Sequence, residues 1–326
     1  MPLSSVSREE TPTVASPESV PPTPLSYRHR FEHLLVLGLL RLLGWVPHRV
    51  ARGLCGLLAG LSYTAWPRLR RVGIWNLRLA FPDWTDSRRR QVLRGLFRNF
   101  GRMLADFAHF PRMNRANIER FIIYDGFEAF SQAREQGKGV LFLTAHFGNW
   151  ELSSFAHGIY GYPLKFIVRE LDNPPLDALI NRYRCLSGGE AIEKRDAARE
   201  ILRALRRGEA VGILADQNMI PAEGVFVDFF GRTACTTTAP ARFARKTGAA
   251  IVFGLAIWDE KLKKYRLRFV PVPWIRREDA EEEIRANTAN FTRLIEDHVR
   301  EYPDQWLWVH RRWKTRPPGE PPLYPV

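Results

Sequence analysis

Cysteine is scarce in these 326 residues. Cys55, Cys185 and Cys235 are an odd number at wide spacings, which supports neither a disulfide framework nor a zinc site and favours a reducing compartment. The histidines form no His-Glu-x-x-His pair, so no metal is expected. No Gly-x-Ser-x-Gly elbow occurs, and Cys185 and Cys235 have no neighbouring histidine in sequence, which argues against a covalent route through an activated nucleophile. Helix-turn-helix, zinc-finger and RNA-binding signatures are missing too. Negative charge is short: 35 Asp plus Glu face 49 Lys plus Arg, a formal charge of +14 with a pI near 10.1. Partners should therefore be anionic, and nucleic acid, anionic lipid and an acidic carrier protein all qualify. The start does not read as a secretory signal, since it carries Glu9, Glu10 and Glu18 and no apolar stretch after a basic start.

What the chain does have is enough apolar residue, 45%, to bury a full core in one large domain. Residues 1–25 hold six of the 23 prolines with many Ser, Thr and Glu, and are expected to be disordered. Residues 26–66 carry two apolar stretches interrupted by Arg41 and Arg52. A membrane span needs roughly 20 mostly apolar residues. These stretches therefore read as one tilted anchor, as two helices lying in the interface, or as a pair of buried core helices. Arginines crowd the following flank at Arg68, Arg70, Arg71 and Arg78, and if the first segment spans, they place the body, residues 67–326, on the cytoplasmic side. Residues 86–109 make an amphipathic helix with Asp86 as N-cap. Val92, Leu93, Leu96, Phe97, Phe100, Met103, Leu104 and Phe107 line one side. Arg88, Arg89, Arg90, Arg94, Arg98 and Arg102 line the other, either solvated or facing a phosphate-rich membrane surface.

The stretch LFLTAHFGNWE at 141–151 is the candidate active site. A continuously apolar run of β-formers ends near His146, Gly148 and Asn149 break the pattern, and a helix follows with Glu151 in its first turn. Either His146 is a structural histidine near a turn, or His146 and Glu151 are a general base and its orienter. Further strands are expected at 164–168, 210–214, 249–256 and 265–270, and helices at 174–186, 197–207, 238–247 and 278–301. Alternation of this kind gives an α/β fold with a mixed, largely parallel sheet flanked by helices. Ligands bind at the carboxyl ends of such strands. Arg169 and Asp216 fall at two of those ends, beside His146, which favours the functional reading. The tail at 306–320, WLWVHRRWKTRPPGE, is strand-like at Trp306 and Trp308. It would either bind headgroups or cap the core.

Taken together, AHFGNWE at 145–151, GVFVDFFGR and TTTAPARFARKTGAA within 224–250, and the tail resemble the late acyltransferases of lipid A biosynthesis, the lauroyl/myristoyl family of the lysophospholipid acyltransferase superfamily. The resemblance runs from about residue 30 onward. It implies a fold like that of the glycerol-3-phosphate acyltransferases, with membrane-anchoring helices at the N-terminal side and a body on the cytoplasmic face of the inner membrane. It also implies transfer of a fatty acyl group from acyl carrier protein, or from coenzyme A, to a hydroxyl of a lipid A precursor, without a cofactor. The family's His-x4-Asp pair becomes His146 and Glu151 here. Arg169 and Asn173 match an Arg-x3-Asn segment, and Asp216 with Gln217 match an acidic segment after a strand, all four as substrate-binding residues. Oxyanion donors are expected from backbone N–H groups near Gly148 and Asn149 or at 224–226. Another glycolipid or a lysophospholipid is the alternative acceptor, and a basic protein that coats membrane or binds nucleic acid is the non-enzyme alternative. Nucleic acid is not the expected partner.

Overall fold

The computed structural model describes residues 26–193 and 197–325. The extension at 1–25 lies outside them. The most apolar strand, β2 (Val140–Thr144), forms the centre of a seven-stranded sheet because it has no polar face to offer water. One side of it continues through β5 (Ala210–Leu214), β3 (Leu164–Val168) and β4 (Glu190–Glu193). The other continues through β8 (Ala250–Asp259), β9 (Lys264–Pro271) and β1 (Ile122–Asp125). Every pairing is parallel except β8 with β9, which a tight turn makes antiparallel. The mixed, largely parallel sheet expected from the alternation is thus present. Sequence reading missed β1 and β4, only four residues each, and the separate hairpin of β6 (Gly224–Phe229) and β7 (Arg232–Thr237).

Alternate residues of β2 feed two cores, as the period of two requires. Leu141 and Leu143 pack with α8 (Ala197–Arg206), α9 (Ala239–Thr247) and α10 (Ala280–Glu301) through Ile201, Leu205, Ala241, Ile284 and Phe291. Val140 and Phe142 face α5 (Phe127–Glu135), α6 (Trp150–Ile159) and α7 (Pro174–Arg184) through Phe130, Phe155 and Leu179. Each such fully buried side chain contributes about 1.5–3 kcal/mol. Trp306, Trp308 and Trp313 are completely enclosed in the first core. The tail therefore caps the core. Among the described residues its only β-like pairing is an isolated bridge between Trp306 and Phe147, so the strand expected there does not form.

Four helices precede the sheet: α1 (Tyr27–Trp45), α2 (His48–Ala65), α3 (Pro67–Ala80) and α4 (Asp86–His109). In α4 the N-cap is Thr85, which accepts from the Arg88 N–H at 3.2 Å, one residue before the expected Asp86. Arg89 is not on the solvent face either; it is buried, donating to Asp86 and to the carbonyls of Phe81 and Pro82. Leu40 and Leu43 of α1, with Ala51 and Cys55 of α2, pack on the end of α4. The outward faces of α1 and α2 stay apolar, with Phe31, Leu34, Leu35, Trp45, Leu57 and Leu61 exposed. Among the described residues no helix is long and apolar enough to cross a membrane.

Candidate active site

Parallel register builds the site. Thr144 of β2 pairs with Leu214 of β5, so the residues two steps beyond each strand end, His146 and Asp216, emerge side by side at the carboxyl edge of the sheet. Asp216 Oδ1 lies 2.8 Å from His146 Nδ1, and Oδ2 accepts both the His146 backbone N–H at 2.9 Å and the Trp306 indole N–H at 2.8 Å. A fully ionised Asp216 thus fixes the proton of the imidazole on Nδ1 and leaves Nε2 as the basic nitrogen. Burial pushes the Asp216 carboxyl up, but the His146 charge and the hydrogen bonds from His146 and Trp306 outweigh it and hold the carboxyl below its ordinary range. The Gln217 amide nitrogen stands 3.4 Å from His146 Nε2.

Glu151 makes no hydrogen bond to His146 among the described residues. The helix α6 turns its first residues toward α7, and both Glu151 oxygens accept from Arg184, at 2.9 Å from Nε and 2.6 Å from Nη2. A bidentate pair of this kind occupies the carboxylate. Asn173 is likewise bonded away from His146. Its side chain caps α7 through the Leu176 N–H and donates to the His29 carbonyl and to Glu32 of α1, outside the cavity lining. Arg169 stands exposed at the cavity mouth with no carboxylate partner among the described residues.

The turn between His146 and α6 is held from three sides. Gly148 has φ +58°, and a Cβ there would lie 1.7 Å from the Ala256 carbonyl oxygen, so no side chain fits. Its N–H donates to the Gln305 carbonyl and its carbonyl accepts from Asn99 of α4 at 2.7 Å. The Asn149 N–H donates to Ala256, while the Asn149 side chain caps α6 at Leu152 and donates to Asp106. Buried Asp106 is in turn held by His48 at 2.6 Å and Arg52 at 3.0 Å. The N–H groups of Gly148 and Asn149 are therefore already used, and 224–226 belong to strand β6 of the separate hairpin. Asn99 and Asp106 escaped sequence reading although they are polar residues on the apolar side of α4, which was the available signal. Trp306 offered no signal, because its partner is 90 residues away.

Beneath His146 a cavity of about 230 Å³ opens between the sheet and helices α6 and α7. Its walls are mostly hydrocarbon, including Phe142, Leu164, Phe166, Ile180 and Leu214. Space exists because Gly212 puts no side chain on the sheet face: a Cβ there would meet nothing nearer than 3.9 Å. His157 lines the inner wall with neither ring nitrogen hydrogen-bonded, and burial lowers its pKa to about 3.

A carboxylate-paired histidine at the mouth of a hydrocarbon-lined slot suits transfer of an acyl group, and residues 23–315 match the family described as bacterial lipid A biosynthesis acyltransferase. The chain belongs to this family. This lipid A acyltransferase is 30% identical to the lipid A biosynthesis lauroyltransferase of Escherichia coli K12 over 295 residues, covering 89% of this chain and 94% of that protein. It is 28% identical over 292 residues to the palmitoleoyltransferase of the same organism, covering 88% and 92%, and 25% identical over 263 residues to the myristoyltransferase, covering 79% and 80%. The enzyme is an acyltransferase, and its relatives bear the names of different acyl chains.

Proposed function

We propose that the enzyme transfers a fatty acyl group from acyl carrier protein to a hydroxyl of a lipid A precursor, with His146 as general base and Asp216, rather than Glu151, as its orienter. The acceptor hydroxyl attacks the thioester carbonyl carbon while its proton passes to His146 Nε2. The tetrahedral oxyanion then collapses, the C–S bond breaks, and the proton moves from the imidazolium to the departing thiolate. General base catalysis contributes roughly 10²- to 10⁴-fold. The acyl chain occupies the slot over Gly212. The Gln217 amide and the first-turn N–H groups of α6, at Trp150 and Glu151, supply oxyanion stabilisation. Arg169, unpaired at the mouth, takes a phosphate of the acceptor or of the carrier's prosthetic arm.

The observation that carries this reading is the His146–Asp216 hydrogen bond at the opening of an apolar cavity of acyl-chain character. Association with the cytoplasmic face of the inner membrane is part of the same proposal. The exposed apolar faces of α1 and α2 suit helices lying in the interface. His146→Ala, purified in detergent and supplied with acyl carrier protein thioester and lipid A precursor, should lose transfer by at least the general-base factor. Undiminished transfer would sink the assignment, and mass spectrometry of lipids from a host lacking the gene identifies the acceptor by its missing acyl chain.

A further inference from the structure

A second concavity shares no lining residue with the slot. A cleft of about 930 Å³ lies between α3, the N-terminal half of α4 and the tail. From α3 it receives Arg68, Arg70 and Arg71; from α4, Arg90 and Arg94; from the tail, Arg311. Asp86 is the one carboxylate in its lining, and it is already matched by Arg78 at 3.0 Å and Arg89 at 2.9 Å. Arg68, Arg71, Arg90, Arg94 and Arg311 have no carboxylate partner among the described residues. Two of the cations are positioned without an anion: Arg70 and Arg94 each stand 5.4 Å from the Tyr63 ring, and Arg70 also donates to the Tyr63 carbonyl. Guanidinium groups pre-set on an aromatic ring, concave and uncompensated, form a receptor for phosphate oxygens.

What lies beside the cleft decides which phosphate. The exposed apolar face of α2, at Leu57 and Leu61, continues through Trp66 to Leu69, which sits between Arg68 and Arg70. Apolar side chains that enter the acyl region place neighbouring arginines at headgroup depth, where each basic residue adds roughly a five-fold gain in affinity for an anionic leaflet. We propose that this cleft binds the phosphate headgroup of an anionic membrane lipid, fixing how the enzyme sits on the bilayer. This rests on the interfacial reading of α1 and α2 and is independent of the acyl-transfer chemistry.

The test compares binding of the full chain to phosphatidylcholine vesicles and to vesicles with one part in three phosphatidylglycerol, at physiological ionic strength. Arg71→Glu/Arg94→Glu changes the cleft; Arg285→Glu/Arg293→Glu on the exposed side of α10 changes net charge equally. The cleft variant should lose on the order of ten-fold or more of its affinity for the anionic vesicles and keep its affinity for neutral ones, while the α10 variant loses much less. Equal losses in the two variants would reduce the effect to a general positive field and overturn the proposal. No binding of the parent enzyme to neutral vesicles would instead overturn the interfacial reading. Saturable binding of glycerol phosphate that survives without any bilayer, or loss of acyl carrier protein binding with vesicle binding intact, would assign the cleft to a soluble partner. Arg68→Glu/Arg71→Glu, both exposed on α3, serves if the first variant does not fold.

Discussion

Replacing Asp216 by Asn leaves the shape of the site intact and inverts its proton arrangement. The carboxylate accepts three hydrogen bonds, one from the imidazole on Oδ1 and two, from the His146 N–H and the Trp306 indole, on Oδ2. An amide has one oxygen. If it faces Trp306, the amide NH₂ faces Nδ1, the imidazole proton moves to Nε2, and the base is lost. If it faces Nδ1, two buried N–H donors confront an NH₂ group, which costs about 1–3 kcal/mol for each group left unpaired. The expected outcome is a fall in kcat on the order of 10³-fold, within the range of general-base loss. KM should change little, because the slot and Arg169 are untouched. Glu151→Gln is the companion. It weakens the pair with Arg184, so it should lower stability and alter KM while costing kcat no more than about ten-fold. The assay is steady-state transfer with both substrates varied. A larger kcat loss in Glu151→Gln than in Asp216→Asn would refute the assignment of Asp216 as orienter.

Filling the slot should shorten the transferred chain. Gly212→Val places methyl groups in open space, so competition between thioesters should shift toward shorter chains by roughly four-fold for each methylene that no longer fits, read by product mass spectrometry. Gly148→Ala meets the Ala256 carbonyl at a separation no Cβ tolerates, and should abolish transfer and lower the melting temperature measured by calorimetry. His157→Leu should raise stability by about 1–3 kcal/mol, since it removes two unpaired buried nitrogens. It should also flatten the acid limb. His157 titrates near 6.5 unfolded and about 3 folded, so the unfolded chain takes up the proton first, and the stability present above pH 6.5 is lost as pH falls toward 3, by about 1.4 kcal/mol per unit. Denaturant melts at several pH values check the slope.

The sheet was legible because β2, β5, β3 and β8 are runs of β-formers too apolar to be anything but buried, and their alternation with helices dictates parallel neighbours. Short β1 and β4 were not, since four residues carry too little pattern. The place of His146 at a strand end was legible for the same reason as the sheet, since the apolar run stops just before it. Its hydrogen-bond partner is Asp216 and not the nearer Glu151, because strand register, not nearness in sequence, decides which side chains meet. Residues 146 and 151 are close in the chain but the turn points them to different neighbours, whereas 146 and 216 become adjacent once β2 and β5 pair. Asn173 and the pair of Glu151 with Arg184 illustrate the same limit. Each fits a local pattern, and each is claimed by a contact with a different helix, α1 or α7, that no local spacing reveals. The enclosed tryptophans of the tail belong here too, since burial of a late segment is decided by the core it meets.

That late segment has a consequence for when the candidate site is assembled. The Trp306 indole completes the set of donors on Asp216, the Leu307 N–H donates to the His146 carbonyl, and Gln305 holds the glycine turn. A chain emerging from the ribosome presents its apolar helices first, then histidine and carboxylate, and only ninety residues after Asp216 the tryptophan that seats them. Translation order thus makes seating of the His146–Asp216 pair a late event: the donors on Asp216 stay incomplete until the tail has been made.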